Sequence, residues 1–122
     1  MSVAVPSPLT ALSPLDGRYH GKVAGLRDHF SEHGLIRNRV KVEVEWLKAL
    51  AAEPTLAEIA PFSLATITEL DGVVSAFSTE DGEAVKAIEA TTNHDVKAME
   101  YWLKKRLGHN PEVMKVSEFI HF

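Results

Sequence analysis

Apolar residues recur every three or four positions along most of this chain, which is the spacing of amphipathic α-helices. A short helix is predicted over Gly21–Phe30. A longer one begins after Ser31 as its cap and runs to Glu53, where Pro54 stops it. The apolar stripe of this second helix is broad, which predicts burial on more than one side. The stripe comprises Ile36, Val40, Val44, Leu47 and Ala51, widened by Leu35, Val42 and Trp46.

Three further helices are predicted over residues 63–77, 79–92 and 94–107. Ser63 caps the first of them, and Ser78 or Thr79 opens the second. Gly108 is a natural stop for the third. Few segments alternate apolar and polar residues as β-strands do, so the predicted fold is all-α with about five helices.

The chain divides into three predicted segments. Residues 1–20 are rich in Pro, Ser, Thr and Gly and form an irregular arm. Residues 21–112 form the helical body. Residues 113–122 are apolar, carry no stop signal, and lead out of the helical body.

Composition narrows the class of protein. A chain of 122 residues forms one domain with a single modest core. Its net charge of −4 argues against non-specific binding to nucleic acid or to anionic membrane. It has no cysteine, so it has no disulfide framework and no thiolate metal site. The start lacks the features of a secretory signal, and no run reaches the ~18 apolar residues of a membrane span, so a cytoplasmic location is expected.

Residues 91–95 read TTNHD at the break between two predicted helices. Thr92 and Asp95 have the spacing of a capping box. If Thr92 or Asn93 caps, His94 lies in the first helical turn, beside free amides and the positive end of the helix dipole. A bound phosphate or carboxylate there would favour a protonated imidazole. The alternative is an ordinary helix cap with an exposed histidine.

Residues 13–19 read SPLDGRY. Asp16-Gly17 is a strong turn dipeptide, and the turn would present Arg18 and Tyr19. An arginine in such a position can bind a phosphate in bidentate fashion. The alternative is that both side chains only hold the arm against the helical body.

No metal site is predicted. His29 and His33 stand four residues apart, a spacing that can bind metal on one helix face. Ser31 interrupts the helical pattern between them, and no third ligand beyond Glu32 is near in sequence.

SPLDGRY and TTNHD, together with VSEFIHF at the end of the chain, resemble the amino-terminal region of the bacterial adenylosuccinate lyase family, within the fumarase/aspartase superfamily. The resemblance runs from about Leu12 to the last residue and implies the small helical amino-terminal domain of that fold. It implies that Arg18 and Tyr19 lie at the phosphate and ribose of a nucleotide. It also implies that Asn93, His94 and Asp95 line the same substrate pocket.

The family's reaction is a β-elimination. A base removes a proton from the succinyl group, the C–N bond breaks as an acid protonates nitrogen, and fumarate leaves. The substrates are adenylosuccinate and a succinylcarboxamide ribotide of earlier purine synthesis. The resemblance implies a homotetramer that needs no metal or organic cofactor. It gives His94 a supporting role, because another histidine serves the family as general acid.

The resemblance covers only the first domain of such an enzyme. The Thr-Ser motif, the general acid, the serine loop with the general base and the central helical bundle are expected beyond Phe122. We therefore expect no lyase activity from these residues alone. Two alternatives stay open: a helical interaction module without catalysis, and another lyase of the superfamily, such as argininosuccinate lyase. Arg18 and Tyr19 argue against the second, since a phosphate-binding pair has little use without a nucleotide.

Overall fold

A computed structural model describes residues 7–122 of the protein. The first six residues of the predicted arm lie outside the described residues. The chain divides between Gly34 and Leu35 into two compact units, and each is described by itself.

The first unit begins with a succession of hydrogen-bonded turns, in agreement with the predicted irregular arm. The amides of Gly17 and Tyr19 both donate to the carbonyl oxygen of Pro14, at 3.2 and 2.9 Å. A Cβ atom on Gly17 would lie 2.5 Å from the carbonyl oxygen of Pro8. Glycine therefore permits an approach of two backbone segments that any side chain would prevent.

The helix predicted over Gly21–Phe30 is shorter than expected. The structure has a 3₁₀ turn at Ala24–Leu26, followed by the single-turn helix α1 at Arg27–Phe30. Leu26 and Phe30 are 53% and 83% exposed. This segment therefore buries little apolar surface to offset the entropy of ordering a longer helix.

The remaining helices are α2 (Glu32–Ala52), α3 (Leu64–Ser75), α4 (Thr79–Thr92), α5 (Asp95–Arg106) and α6 (Pro111–Met114), followed by a 3₁₀ turn at Ser117–Phe119. The described residues contain no β-strand, so the predicted all-α class is confirmed. The ends of α2 to α5 lie within two residues of their predicted places.

Two of the predicted caps form as expected. The hydroxyl of Ser63 accepts from the amide of Thr66 at 3.3 Å and opens α3. The hydroxyl of Ser78 accepts from the amide of Asp81 at 3.1 Å, and the Asp81 carboxylate accepts from the amide of Ser78 at 2.9 Å. This reciprocal pair is a capping box, and it fixes the start of α4.

The core of the second unit is built around one face of α2. Its most deeply buried large side chains are Val40, Val44, Leu47, Leu70, Val85, Met99, Leu103, Leu107, Val113 and Ile120. On the outer face of α2, Leu35, Val42 and Trp46 are 48%, 64% and 45% exposed. The expectation that α2 is buried on more than one side is therefore wrong within the described residues.

A polar network centred on the buried side chains of Thr66 and Asn110 joins α3 to α6. Asn110 donates to Glu69 at 2.7 Å and to the hydroxyl of Thr66 at 3.2 Å. The Glu112 carboxylate accepts from the hydroxyl of Thr66 and from the hydroxyl and amide of Ser63. These hydrogen bonds, that of Thr66 first, hold the pKa of Glu112 below its ordinary value. The network holds the start of α6 against the start of α3.

Candidate functional site at the turn between α4 and α5

The TTNHD segment forms a sharp turn between two helices. Asn93 ends α4 in the left-handed conformation, with φ 52° and ψ 29°, and its amide donates to the carbonyl of Glu89 at 2.8 Å. Asparagine is one of the few residues other than glycine that adopts this conformation readily. The chain therefore changes direction at Asn93 and presents His94 at the start of α5.

His94 itself caps α5. Its Nδ1 accepts from the amide of Lys97 at 3.1 Å. The prediction that Thr92 or Asn93 caps this helix, with His94 in its first turn, is wrong. A capping residue needs extended backbone, which Asn93 lacks because it has turned left-handed. The hydroxyl of Thr92 instead accepts from the amide of His94 at 3.2 Å and donates to its carbonyl at 3.1 Å.

The capping hydrogen bond determines which proton His94 can offer. Because Nδ1 accepts a hydrogen bond, a neutral imidazole carries its proton on Nε2. His94 is exposed, so this N–H is available to an acceptor oxygen of a ligand. The geometry therefore suits His94 to orienting a ligand by donation from Nε2.

Asp95 begins α5 and is bound to α2. Nη1 of Arg39 donates to Oδ2 of Asp95 at 2.6 Å, and the amide of Val96 donates to Oδ1 at 2.8 Å. These two hydrogen bonds, that of Arg39 first, hold the pKa of Asp95 below its ordinary value. A negative charge in the first turn also suits the helix dipole. Both carboxylate oxygens therefore have partners within the protein.

The two residues of the other motif pair with each other in the first unit. The guanidinium of Arg18 lies 4.8 Å from the centroid of the Tyr19 ring, within the range of a cation–π contact. Both residues are exposed. Arg18 also borders a groove of about 450 Å³ whose other lining residues lie between Pro8 and Pro14. Among residues 7–122 the guanidinium has no hydrogen-bond or ion-pair partner, so its donors are available to an anion.

The structure brings Asn93, His94 and Asp95 together in one turn, and it places Arg18 beside Tyr19. Sequence reasoning missed Arg39. Its partner Asp95 lies 56 residues away in sequence, and a single cation on the polar side of a long helix gives no local signal of such a pair.

The helical pattern is interrupted between His29 and His33, as predicted. Ser31 has extended backbone between His29 and His33, with ψ 164°, and its hydroxyl caps α2 by accepting from the amide of Gly34 at 3.0 Å. Over residues 7–122, no group of three or more His, Asp or Glu side chains could hold a metal ion. No helix in that range is long and apolar enough to cross a membrane.

Comparison with known proteins identifies close relatives. The chain is 54% identical over 116 residues to adenylosuccinate lyase of Escherichia coli K12 and 55% identical to that of Haemophilus influenzae. It is 49% identical to the adenylosuccinate lyase of Vibrio cholerae. Each match covers 95% of this chain and 25% of the relative. No model of a protein family matches the chain.

The chain thus spans about a quarter of the length of the curated relatives it matches, and that quarter is the amino-terminal one. The matched region includes SPLDGRY and TTNHD, two of the strings on which the resemblance was first stated. The resemblance is therefore confirmed: along nearly its whole length, this chain is homologous to the amino-terminal quarter of bacterial adenylosuccinate lyases.

Proposed function

We propose that these 122 residues form the amino-terminal domain of an adenylosuccinate lyase and supply part of its substrate pocket. The observation that carries this proposal is the identity of 49–55% to enzymes of that name along 95% of the chain. The reaction would be β-elimination of fumarate from adenylosuccinate and from the succinylcarboxamide ribotide. The complete enzyme would be a cytoplasmic homotetramer that uses no metal or organic cofactor.

The roles of Arg18, Asn93 and His94 draw on their geometry. Those of Tyr19 and of Asp95, which is expected to line the same pocket, rest on the resemblance. Arg18 binds the substrate phosphate with the donors that its contact with Tyr19 leaves free, and Tyr19 lies at the ribose. His94 donates from Nε2 to a substrate oxygen and so orients the leaving nucleotide. Asn93 provides the left-handed turn that presents His94. The general acid and base would come from the other three quarters of an enzyme of the relatives' length.

The other hypotheses are less well supported. The relatives described above are named adenylosuccinate lyases, which disfavours an argininosuccinate lyase. A helical interaction module would use the exposed outer face of α2, where Leu35, Val42 and Trp46 lie. That face is equally compatible with a domain that packs against the remainder of a larger enzyme.

A chimera provides the test. Residues 1–122 replace the matching quarter of the Escherichia coli enzyme, and fumarate release from adenylosuccinate is measured. The chimera should be active and should restore growth without purines to a strain that lacks the enzyme. Residues 1–122 alone should release no fumarate, because an acid and a base each typically contribute ~10²–10⁴-fold. Activity of residues 1–122 alone, or a folded but inactive chimera, would contradict the proposal.

Substitutions in the active chimera test the residue roles. Arg18→Ala should raise KM by about 10-fold to 100-fold with a smaller effect on kcat, because a phosphate ion pair is present in ground and transition states alike. His94→Ala should lower kcat by on the order of 10²-fold, because a hydrogen bond that orients the leaving group is lost. Arg106→Ala and His29→Ala remove the same residue types at exposed positions and should change neither parameter.

A further inference from the structure

One interhelical ion pair reaches the candidate site from outside both sequence motifs. Arg39 lies on α2, and its Nη1 is 2.6 Å from Oδ2 of Asp95, the first residue of α5. The two side chains are 31% and 54% exposed. An ion pair this exposed contributes little to folding stability. Because Asp95 directly follows His94, the pair can instead influence the orientation of the His94 side chain.

The carboxylate of Asp95 is engaged on both oxygens. Oδ2 accepts from Arg39, and Oδ1 accepts from the amide of Val96 at 2.8 Å. The first residue of α5 is therefore held both to its own helix and to α2. With both oxygens occupied, Asp95 is less suited to bind a ligand directly and better suited to fix the adjacent backbone.

The neighbouring residue depends on that backbone. His94 keeps its orientation through one hydrogen bond, from the amide of Lys97 to Nδ1 at 3.1 Å. This bond requires the first turn of α5 to hold its place relative to the His94 side chain. Loss of the link to α2 frees the start of α5 to fray, since helix ends have few hydrogen bonds of their own.

We propose that Arg39 is a positioning residue: through Asp95 it fixes the first turn of α5 and so aims the Nε2–H of His94 at the substrate. The inference rests on the proposed function. It reassigns Asp95 from direct substrate contact to orientation of its neighbour. Misplacement of an orienting group by ~1 Å can lower a rate by as much as 10²-fold, so a weak ion pair at this position has a kinetic effect larger than its effect on stability.

The active chimera carries the kinetic test. Arg39→Ala should lower kcat by about 10-fold with KM changed less than about twofold. Arg39→Lys, which keeps the charge and loses the planar geometry, should recover part of kcat. Asp95→Asn should resemble Arg39→Ala, and the double variant should be no worse than the poorer single one, because both remove the same link.

The chain offers a matched control. Lys48, also on α2, lies 2.6 Å from Asp71 on α3, with side chains that are 22% and 53% exposed. Lys48→Ala removes an equally short and similarly exposed interhelical pair, away from His94. It should leave kcat unchanged. An equal loss of kcat in Lys48→Ala and Arg39→Ala would mean that loss of any such ion pair lowers kcat through general stability. That result would overturn the proposal.

A second readout does not depend on activity. Nitrogen-15 NMR of the 122-residue chain distinguishes the protonated from the accepting ring nitrogen of His94. The wild type and Lys48→Ala should carry the proton on Nε2, whereas Arg39→Ala should show a mixture of tautomers. An unchanged His94 spectrum in Arg39→Ala would overturn the positioning role. An inactive wild-type chimera would count against the proposed function, and the NMR comparison would still decide the role of Arg39.

Discussion

Substitution of Asn110 tests the buried network that joins α3 to α6. Asn110 is 7% exposed, and its side chain makes three hydrogen bonds. Its Oδ1 accepts from the amide of Val113 at 3.2 Å and caps α6. Its Nδ2 donates to Glu69 at 2.7 Å and to Thr66 at 3.2 Å. Asn110→Ala removes all three and leaves the polar partners behind.

The expected cost follows from the separate contributions. Loss of the cap costs about 1 kcal/mol. The bond to Thr66 contributes roughly 0.5–1 kcal/mol, because Thr66 is buried but its hydroxyl keeps its partners Glu112 and Ser63. The bond to Glu69 contributes about 1 kcal/mol, the lower end for a charged acceptor, since the Glu69 side chain is 31% exposed and can recruit water. The free energy of unfolding should fall by about 2.5–3 kcal/mol.

Urea unfolding followed by far-ultraviolet circular dichroism measures this change. The midpoint should move to lower urea with an unchanged slope, and Tm should fall by on the order of 10 °C. Asn110→Ser keeps a capping oxygen but loses the Nδ2 group that donates to Glu69 and Thr66. Its stability should therefore lie between those of the wild type and Asn110→Ala. Asn38→Ala makes the same change at an exposed position of α2 and should be neutral or slightly stabilising.

Two outcomes would refute the reasoning. The first is a loss below ~1 kcal/mol for Asn110→Ala, which would mean that the network contributes no more than a single cap. The second is an equal loss for Asn38→Ala, which would mean that the amide side chain matters for a reason unrelated to the α3–α6 contact.

Two further predictions concern the first unit and the α2–α5 link. Gly17→Ala should destabilise the turns of the first unit by about 1–3 kcal/mol, because its Cβ would lie 2.5 Å from the carbonyl oxygen of Pro8. Faster proteolytic cleavage within residues 7–34 would report this, and Gly21→Ala, whose Cβ meets nothing within 4 Å, should not cleave faster. The hydrogen bond from Arg39 holds the pKa of Asp95 in the folded protein below its unfolded value of about 3.9. The stabilisation from the ionised Asp95 is therefore fully present above the unfolded pKa and is lost as the pH falls through the lower pKa of the folded state. The Tm difference between wild type and Asp95→Asn should therefore be constant from about pH 7 to 5 and shrink at lower pH; a difference independent of pH would argue against the ion pair.

Much of the fold could be predicted from local sequence. Ser63 and Ser78 cap the helices that they were predicted to cap, because side-chain capping depends on residues within one turn. The buried stripe of α2 from Ile36 to Ala51 follows from its periodicity for the same reason. The helix predicted over Gly21–Phe30 was too long, since periodicity does not reveal whether Leu26 and Phe30 have anything to pack against.

The candidate site was predicted in its residues and only partly in its geometry. TTNHD was correctly placed at a helix break. The left-handed backbone of Asn93, the capping by His94 and the ion pair of Asp95 with Arg39 were not foreseen. Thr92, Asn93 and His94 are all plausible caps by residue type, and the choice among them depends on the direction in which α5 must leave α4.

The sequence by itself determined the all-α class, the ends of α2 to α5 and the motifs that carry the resemblance, because each depends on residues only a few positions apart. The tertiary structure decided that the outer apolar face of α2 stays exposed and how Asn110 joins α3 to α6. It also decided that Arg39 meets Asp95. These features arise from contacts between residues distant in sequence, and helix packing fixes such contacts where local propensity cannot.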